Sequence, residues 1–236
     1  KGPADWYPAK MGNLRFESTQ INFGGVKNNE SKNKDLKFYN EGKTPITLSP
    51  AQNLPEWFTI TYSPATLEPG KEGLIKATVD GKKKKEWADR QLKCIDFWKG
   101  LLERSRSKTN LFSNITPGRN HFLSIGAGKS GISFTYVVLK TGVGVELYID
   151  HDKDTGKKNK SIFDALHKQK RQIEKEFGAP LEWERLTDKR ASRITKRYKN
   201  SGLDMPEKWP KIQDEMTASM IRFERTIRPR LAKISV

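Results

Sequence analysis

The densest set of chemically capable side chains is a basic run, DKRASRITKR at 188–197. If this run is helical, its cations recur at spacings of three and four and lie on one side, where they can meet successive phosphates. Cations on the preceding helix would extend this phosphate-tracking surface. The predicted nucleic-acid-binding residues are Lys168, Arg171, Lys189, Arg190, Arg193, Lys196 and Arg197. The competing interpretation is a solvated face whose cations pair with Glu174 and Glu176.

Carboxylates on predicted strands form a second set of candidates. Metal-dependent DNA cleavage uses clustered Asp and Glu, commonly with a Glu-x-Lys on an adjacent strand, to hold Mg²⁺ and orient water. The candidates are Glu146, Asp150, Glu182 and Glu184, but neither strand supplies Glu-x-Lys. Glu184 could equally form an internal ion pair with Arg185. No catalytic residue, metal ligand or cofactor is therefore assigned, and a metal-dependent nuclease or nuclease subunit is the alternative hypothesis.

Two further motifs fail their own spacing rules. The segment GAGKS at 126–130 lacks the first Gly of a phosphate-binding loop and precedes a strand rather than a helix, so a hairpin turn is predicted. Asp150, Asp152 and Asp154 resemble the start of a calcium loop, but the required Gly and Glu are out of position, which favours a solvated turn. Cys94 is the only cysteine, which excludes an intramolecular disulfide and a multi-cysteine zinc site.

Charge divides the chain in two. The net charge of the 236 residues is +17, of which residues 1–80 contribute +1 and residues 81–236 contribute +16. An excess of this size attracts polyanions such as DNA or RNA. No run approaches the roughly 18 to 20 apolar residues of a membrane-spanning helix, so no membrane partner is expected.

Apolar spacing predicts the elements of the basic part. A helix is predicted over 86–105, followed by three antiparallel strands, HFLSIGAG, GISFTYVVLK and GVGVELYID. A second helix runs from Ile162 to Phe177, LEWERL returns as a strand, a basic helix runs through Ile194 to Tyr198, and a last amphipathic helix begins near Trp209.

The N-terminal part is a series of short strand-like runs separated by turn residues: LRFEST, INFGGV, KDLKFYN, ITLSP, FTITYSP and GLIKATVD. Apolar residues alternate in them, which indicates an antiparallel β-sandwich. Residues 14–83 resemble part of a bacterial Hydin-like immunoglobulin domain, with a Phe-Gly before a charged turn, an Asn-x-Gly-Lys-x-Pro turn and a Leu-x-Pro-Gly. This resemblance implies an interaction or spacer module.

The second part resembles an uncharacterised prokaryotic domain found beside restriction-type nuclease modules. The similar stretches are VELYID, NKSIFDALHKQKRQIEKEFGAPLEWERL, DKRASRI and MIRFE, which together span residues 87–228. The resemblance implies a role in DNA processing or defence, with a nuclease-type protein as a partner, and carries over no catalytic residue.

The expected fold class is therefore an α+β chain in two parts. A β-sandwich-like, immunoglobulin-like segment at 1–80 precedes a basic linker at 81–86 and a basic α/β domain at 87–236, which has an antiparallel sheet and flanking helices. The N-terminal sandwich is shorter than usual. Either it borrows strands or two unrelated segments have been joined, and we favour an engineered or truncated join.

The expected function is a non-enzymatic module that binds DNA or RNA through phosphates without reading bases. A protein-interaction domain, or a fusion without a native function as a whole, is a further alternative. The compartment expectations conflict, because the C-terminal domain resembles cytoplasmic proteins and the N-terminal segment resembles exported ones.

Overall fold

The computed structural model describes residues 2–235 and separates into two compact units, divided between Asp89 and Arg90. No helix within the described residues is long and apolar enough to cross a bilayer. Both units combine helices with antiparallel sheets, so the predicted two-part α+β class is confirmed.

The N-terminal unit contains two antiparallel sheets after one helical turn, α1 (Pro3–Trp6). Its strands are β1 (Ala9–Met11), β2 (Leu14–Phe16), β3 (Ser31–Asn40), β4 (Ile46–Thr47), β5 (Phe58–Ser63), β6 (Thr66–Leu67) and β7 (Glu72–Asp80). The larger sheet has the order β1-β2-β3-β7-β5, and β4 pairs with β6. The predicted run INFGGV at 21–26 was wrong as a strand, since it joins neither sheet.

A small apolar core joins these two sheets. Leu14 and Phe38 from the larger sheet and Leu67 from the smaller one are buried together, with Ile46 packed against them. Few large side chains contribute, because most residues of these short strands are at least partly exposed. Packing of one sheet on the other agrees with the predicted sandwich-like arrangement.

The predicted basic linker at 81–86 forms the first turns of a helix, α2 (Gly81–Arg106). Asp80 caps this helix, because its carboxylate accepts a hydrogen bond from the Lys83 amide at 3.0 Å. Glycine is required at position 81, where an added Cβ would lie 1.9 Å from the Lys27 carbonyl oxygen. The composition of the lysine run is typical of a linker, but a helix begins there because Asp80 caps it and Gly81 fits against Lys27.

One five-stranded antiparallel sheet organises the C-terminal unit. Its strands are β8 (Phe122–Gly126), β9 (Ile132–Val138), β10 (Gly142–Ile149), β11 (Glu182–Glu184) and β12 (Ser192–Lys199). The order across the sheet is β11-β12-β10-β9-β8. The predicted meander of three strands and the returning LEWERL strand are confirmed.

Helices supply the other half of the core of this unit. They are the second half of α2, α3 (Lys157–His167), α4 (Lys170–Phe177) and α5 (Trp209–Ala232). The predicted single helix over 162–177 is two helices. Buried Phe134, Leu147 and Ile194 of the sheet pack in one cluster with Met220 and Phe223 of α5. We call this side of the sheet the helix-covered face.

The predicted basic helix through Ile194 to Tyr198 was wrong, because these residues belong to β12. That strand is internal to the sheet and pairs with both β10 and β11. In a strand, side chains two apart share a face. Arg193 and Arg197 therefore lie together, while Lys196 points to the opposite side with Ile194. The spacing of the cations fits a helix, but the segment forms a strand because β10 and β11 provide backbone hydrogen bonds on both of its sides.

Candidate functional site

The side of the C-terminal sheet opposite the helix-covered face carries mostly polar side chains, and we call it the polar face. Strand register arranges it in three rows. The rows are Phe122, Val137, Gly144 and Arg197; then Ser124, Thr135, Glu146, Thr195 and Glu182; then Gly126, Ser133, Tyr148, Arg193 and Glu184. Alternation along each strand brings these side chains together from five separate segments.

A cleft of about 420 Å³ lies on the polar face. Its size falls within the ordinary range for small-ligand sites. The lining combines apolar, aromatic, hydroxyl and charged groups from four strands. The lining residues are His121, Phe122, Ser124, Thr135, Val137, Leu139, Val143, Gly144, Glu146, Tyr148, Arg193, Thr195 and Arg197.

Two arginines on β12 are held at one side of the cleft by glutamates on β11. Arg197 donates to Glu184 at 2.6 Å and also to Glu182. The Nε of Arg193 lies 2.9 Å from Glu184 Oε2. That contact is an ion pair without hydrogen-bond alignment, and Nε is buried without a hydrogen-bond partner among the described residues. The glutamates fix the two guanidinium groups in place, and Arg193 keeps N–H donors for another acceptor.

Glu146 forms the floor of the cleft in the middle row. It is 8% exposed, and no described residue donates a hydrogen bond to its carboxylate. The nearest cation is Arg193, whose Nη1 lies 3.9 Å from Glu146 Oε2. Burial raises the pKa of the Glu146 carboxyl above its ordinary value, and Arg193 and Arg197 oppose that rise only in part.

The hydroxyls beside Glu146 are directed to other partners. Thr195 on one side donates to the carbonyl of Val145 at 3.2 Å. Thr135 on the other side shares a hydrogen bond of 2.8 Å with Ser124. Neither hydroxyl therefore donates to the Glu146 carboxylate, whose donors must come from solvent or from a ligand in the cleft.

Aromatic and apolar side chains border the same cleft. Phe122 on the edge strand β8 is 42% exposed, and Leu139 beyond the end of β9 is also largely exposed. Tyr148 is half-buried next to Arg193 in the third row. Exposed rings beside arginines offer flat surfaces for planar ligand groups.

The structure separates the predicted basic residues into different places. Arg193 and Arg197 line the cleft, whereas half-buried Lys196 faces the other side, 5.8 Å from the ring of Tyr198. Arg190 forms a two-pronged ion pair with Asp150, each contact 2.7 Å long. The predicted continuous phosphate-tracking helix face therefore does not exist.

The remaining predicted cations lie outside the cleft. Lys189 is exposed in the turn before β12, and Lys168 and Arg171 are exposed at the junction of α3 and α4. Glu174 and Glu176, the expected partners of the basic run, contact other groups. Glu174 accepts from the Trp183 indole, and Glu176 pairs with Arg230. The structure therefore shows neither the helical phosphate-binding face nor ion pairs of the basic run with Glu174 and Glu176.

The predicted carboxylates fare differently. Glu146, Glu182 and Glu184 do share the polar face, but arginines lie between them, and Asp150 is bound to Arg190. Within residues 2–235, no three His, Cys, Asp or Glu side chains are grouped so that they could hold a metal ion. The expected pair of Glu184 and Arg185 also does not form, since Arg185 binds Asp164.

Sequence reasoning missed the uncharged half of the cleft. Phe122, Thr135, Tyr148 and Thr195 were not among the candidates. The signal lay in GISFTYVVLK, where Ser133 and Thr135 alternate with buried aromatic residues. Polar residues at every second position of a strand indicate a second, polar face.

Comparison with known families gives two matches that follow the two parts of the chain. The model described as a domain of unknown function (DUF4268) matches residues 95–231, and the model described as a protein of unknown function (DUF1573) matches residues 14–95. The first match covers more than half of the chain and includes the whole polar face. No curated protein and no solved structure matches the chain. The matches support a two-part chain of uncharacterised modules.

Proposed function

Since the chain belongs to the DUF4268 family, whose description gives no function, we propose from the polar face that its C-terminal unit binds single-stranded nucleic acid. In this proposal the nucleic-acid strand lies across the polar face, with its phosphates at Arg193 and Arg197 and its bases in the cleft. The module acts as an accessory to DNA processing or defence, in keeping with its resemblance to domains beside nuclease modules.

Arg193 is the observation that carries the proposal. A guanidinium has five N–H donors, and within the described part of the chain Arg193 makes ion pairs but no aligned hydrogen bond. Two phosphate oxygens could each accept a hydrogen bond from a terminal guanidinium nitrogen, in the planar geometry that arginine favours. Arg197 lies in the same strand on the same face and provides a second contact.

The aromatic side chains support a single strand rather than a duplex. Exposed Phe122 and half-exposed Tyr148 can stack on bases only if those bases are not already stacked in a helix. The groups on the cleft floor are likewise reached only by a base whose edge is unpaired. The net charge of +16 beyond residue 80 would increase the rate of association with any polyanion.

Fluorescence anisotropy of the full chain with labelled single-stranded and duplex oligonucleotides, across a salt series, tests the proposal. We expect preference for the single strand and a modest slope of log K against log salt of about −1 to −3, because each neutralised phosphate contributes roughly −0.7. Phe122→Ala should weaken binding about tenfold, within the range of one lost base stack.

Matched controls separate this proposal from simple charge attraction. Leu92→Ala removes another exposed apolar side chain, and Lys189→Ala removes a cation that the helical interpretation placed at the phosphates. Both should leave the affinity of the single strand within about twofold, since neither residue contacts the cleft. Equal losses for Lys189→Ala and Phe122→Ala, or no binding even at low salt, would contradict the proposal.

A further inference from the structure

Glu146 is a buried carboxylate at the centre of a ligand-sized cleft, and the described residues leave it without a hydrogen-bond donor. We propose that Glu146 recognises guanine, accepting two hydrogen bonds from the N1–H and the N2 amino group of one unpaired base. This inference rests on the proposed function and replaces the expectation of binding without base reading.

Guanine is the base whose chemistry fits an ionised carboxylate. Its Watson–Crick edge presents two adjacent donors, N1–H and the amino group, which match the two oxygens of a carboxylate. Adenine and cytosine present one amino donor beside a ring-nitrogen acceptor, and thymine and uracil flank their single N–H with carbonyl oxygens. In each of these cases an acceptor on the base would face an acceptor on Glu146, which disfavours binding.

The surroundings of Glu146 keep the carboxylate available for such a base. Thr135 and Thr195, its direct neighbours across the strands, use their hydroxyls elsewhere. Arg193 is 3.9 Å away, close enough to favour the ionised form but too distant for a hydrogen bond. The carboxylate therefore has no hydrogen-bond donor among the described residues, and a ligand with two adjacent donors gains more there than at an exposed site.

The rest of the cleft positions a nucleotide around that edge. Tyr148 lies two residues from Glu146 on the same face of β10, and Phe122 lies on β8 across the cleft. Either ring can stack on the purine. Arg193 and Arg197 flank Thr195 on β12 and can take the phosphates on either side of the bound guanosine.

Anisotropy with the full chain tests the assignment, using labelled oligothymidylates that carry one central guanine, inosine, adenine or cytosine. We expect guanine to bind about tenfold more tightly than adenine, within the discrimination of a two-hydrogen-bond contact. Inosine, which keeps N1–H but lacks the amino group, should be intermediate. Glu146→Gln should reduce the guanine preference to about twofold or less, because an amide offers one acceptor oxygen in place of two.

Glu176→Gln is the matched control, since Glu176 is also an arginine-paired glutamate but lies on α4 outside the cleft, where its partner is Arg230. This variant should keep the guanine preference. Equal affinity for all four central bases, or a preference for adenine or cytosine, would overturn the guanine assignment alone. Failure of every oligonucleotide to bind at low salt would overturn the proposed function and the assignment with it.

Discussion

The two faces of the C-terminal sheet both contain buried residues, but the buried residues have opposite chemistry. On the helix-covered face, Phe134 and Leu147 are fully buried against α5 and its neighbours. On the polar face, Thr135, Glu146 and Thr195 are almost as inaccessible. There Phe122, Tyr148 and the two arginines line a cleft beside them.

This difference separates the face that stabilises the fold, the helix-covered face, from the face that has groups free to bind a ligand, the polar face. Apolar burial on the helix-covered face stabilises the unit at about 25 cal/mol per Å². Burial of a carboxylate without protein donors opposes folding, so Glu146 lowers the stability of the unit. Sites of this kind commonly trade stability for binding. The two faces should therefore respond in opposite ways to substitution.

The largest expected effect comes from Phe134→Ala on the helix-covered face. Phe134 is fully buried, its ring meets that of Phe223, and Arg228 lies over it. The cavity should lower the free energy of unfolding by about 3 to 5 kcal/mol, measured by chemical denaturation of the full chain.

Phe122→Ala on the polar face is the paired control. The same chemical change at this partly exposed edge position should cost less than about 1 kcal/mol while reducing nucleic-acid binding. Comparable losses of stability at Phe122 and Phe134 would show that the polar face is part of the structural core and would end the distinction between the faces.

The sequence predicted the helix-covered face better than the polar one. Apolar periodicity correctly placed the three-strand meander, the returning strand at Glu182–Glu184 and the last helix from Trp209. These elements are defined by residues that must be buried, and burial leaves a regular pattern. Glu146 and the pair Glu182 and Glu184 were also correctly placed on strands.

The basic segment of β12 could not be predicted in the same way. Arg193, Lys196 and Arg197 fit a helical spacing, and only Ile194 and Tyr198 mark the helix-covered side. The segment becomes a strand because β10 and β11 offer backbone hydrogen bonds on both sides, which is information from distant parts of the chain. The cleft depends on the register between four strands, which local patterns do not fix.

An intermediate effect is expected for Lys160→Met, because Lys160 of α3 holds the turn between β11 and β12. Its ammonium donates to the carbonyls of Arg185, Leu186 and Ala191 at 2.7, 2.9 and 2.7 Å. Leu186 has a φ of 52°, a conformation that costs a branched residue roughly 1 to 2 kcal/mol and needs support. The free energy of unfolding should fall by about 2 kcal/mol.

Lys157→Met, at an exposed position of the same helix, controls for the loss of positive charge. It should change the unfolding free energy by no more than about 0.5 kcal/mol. If both variants behaved alike in denaturation, the turn that carries the polar-face arginines into register would not depend on Lys160.

The smallest expected effect, and the one of opposite sign, is a gain of stability in Glu146→Gln. Burial raises the folded-state pKa of Glu146 above its ordinary value of 4.5, despite the opposing attraction of Arg193 and Arg197. The folded state therefore binds a proton more readily than the unfolded chain. The free energy of unfolding should decrease as the pH rises from the ordinary pKa to the higher pKa of the folded state. Glutamine carries no such cost, so the variant should be more stable at neutral pH by roughly 0.5 to 1 kcal/mol.

Denaturation at a series of pH values measures this gain, which should disappear below the ordinary pKa, where Glu146 is protonated in both states. Glu184→Gln should do the reverse and destabilise, because Glu184 contacts both arginines directly. A loss of stability for Glu146→Gln at neutral pH would mean that the carboxylate stabilises the fold through Arg193 and Arg197. The buried carboxylate would then have a structural role, and no ligand would be needed to account for it.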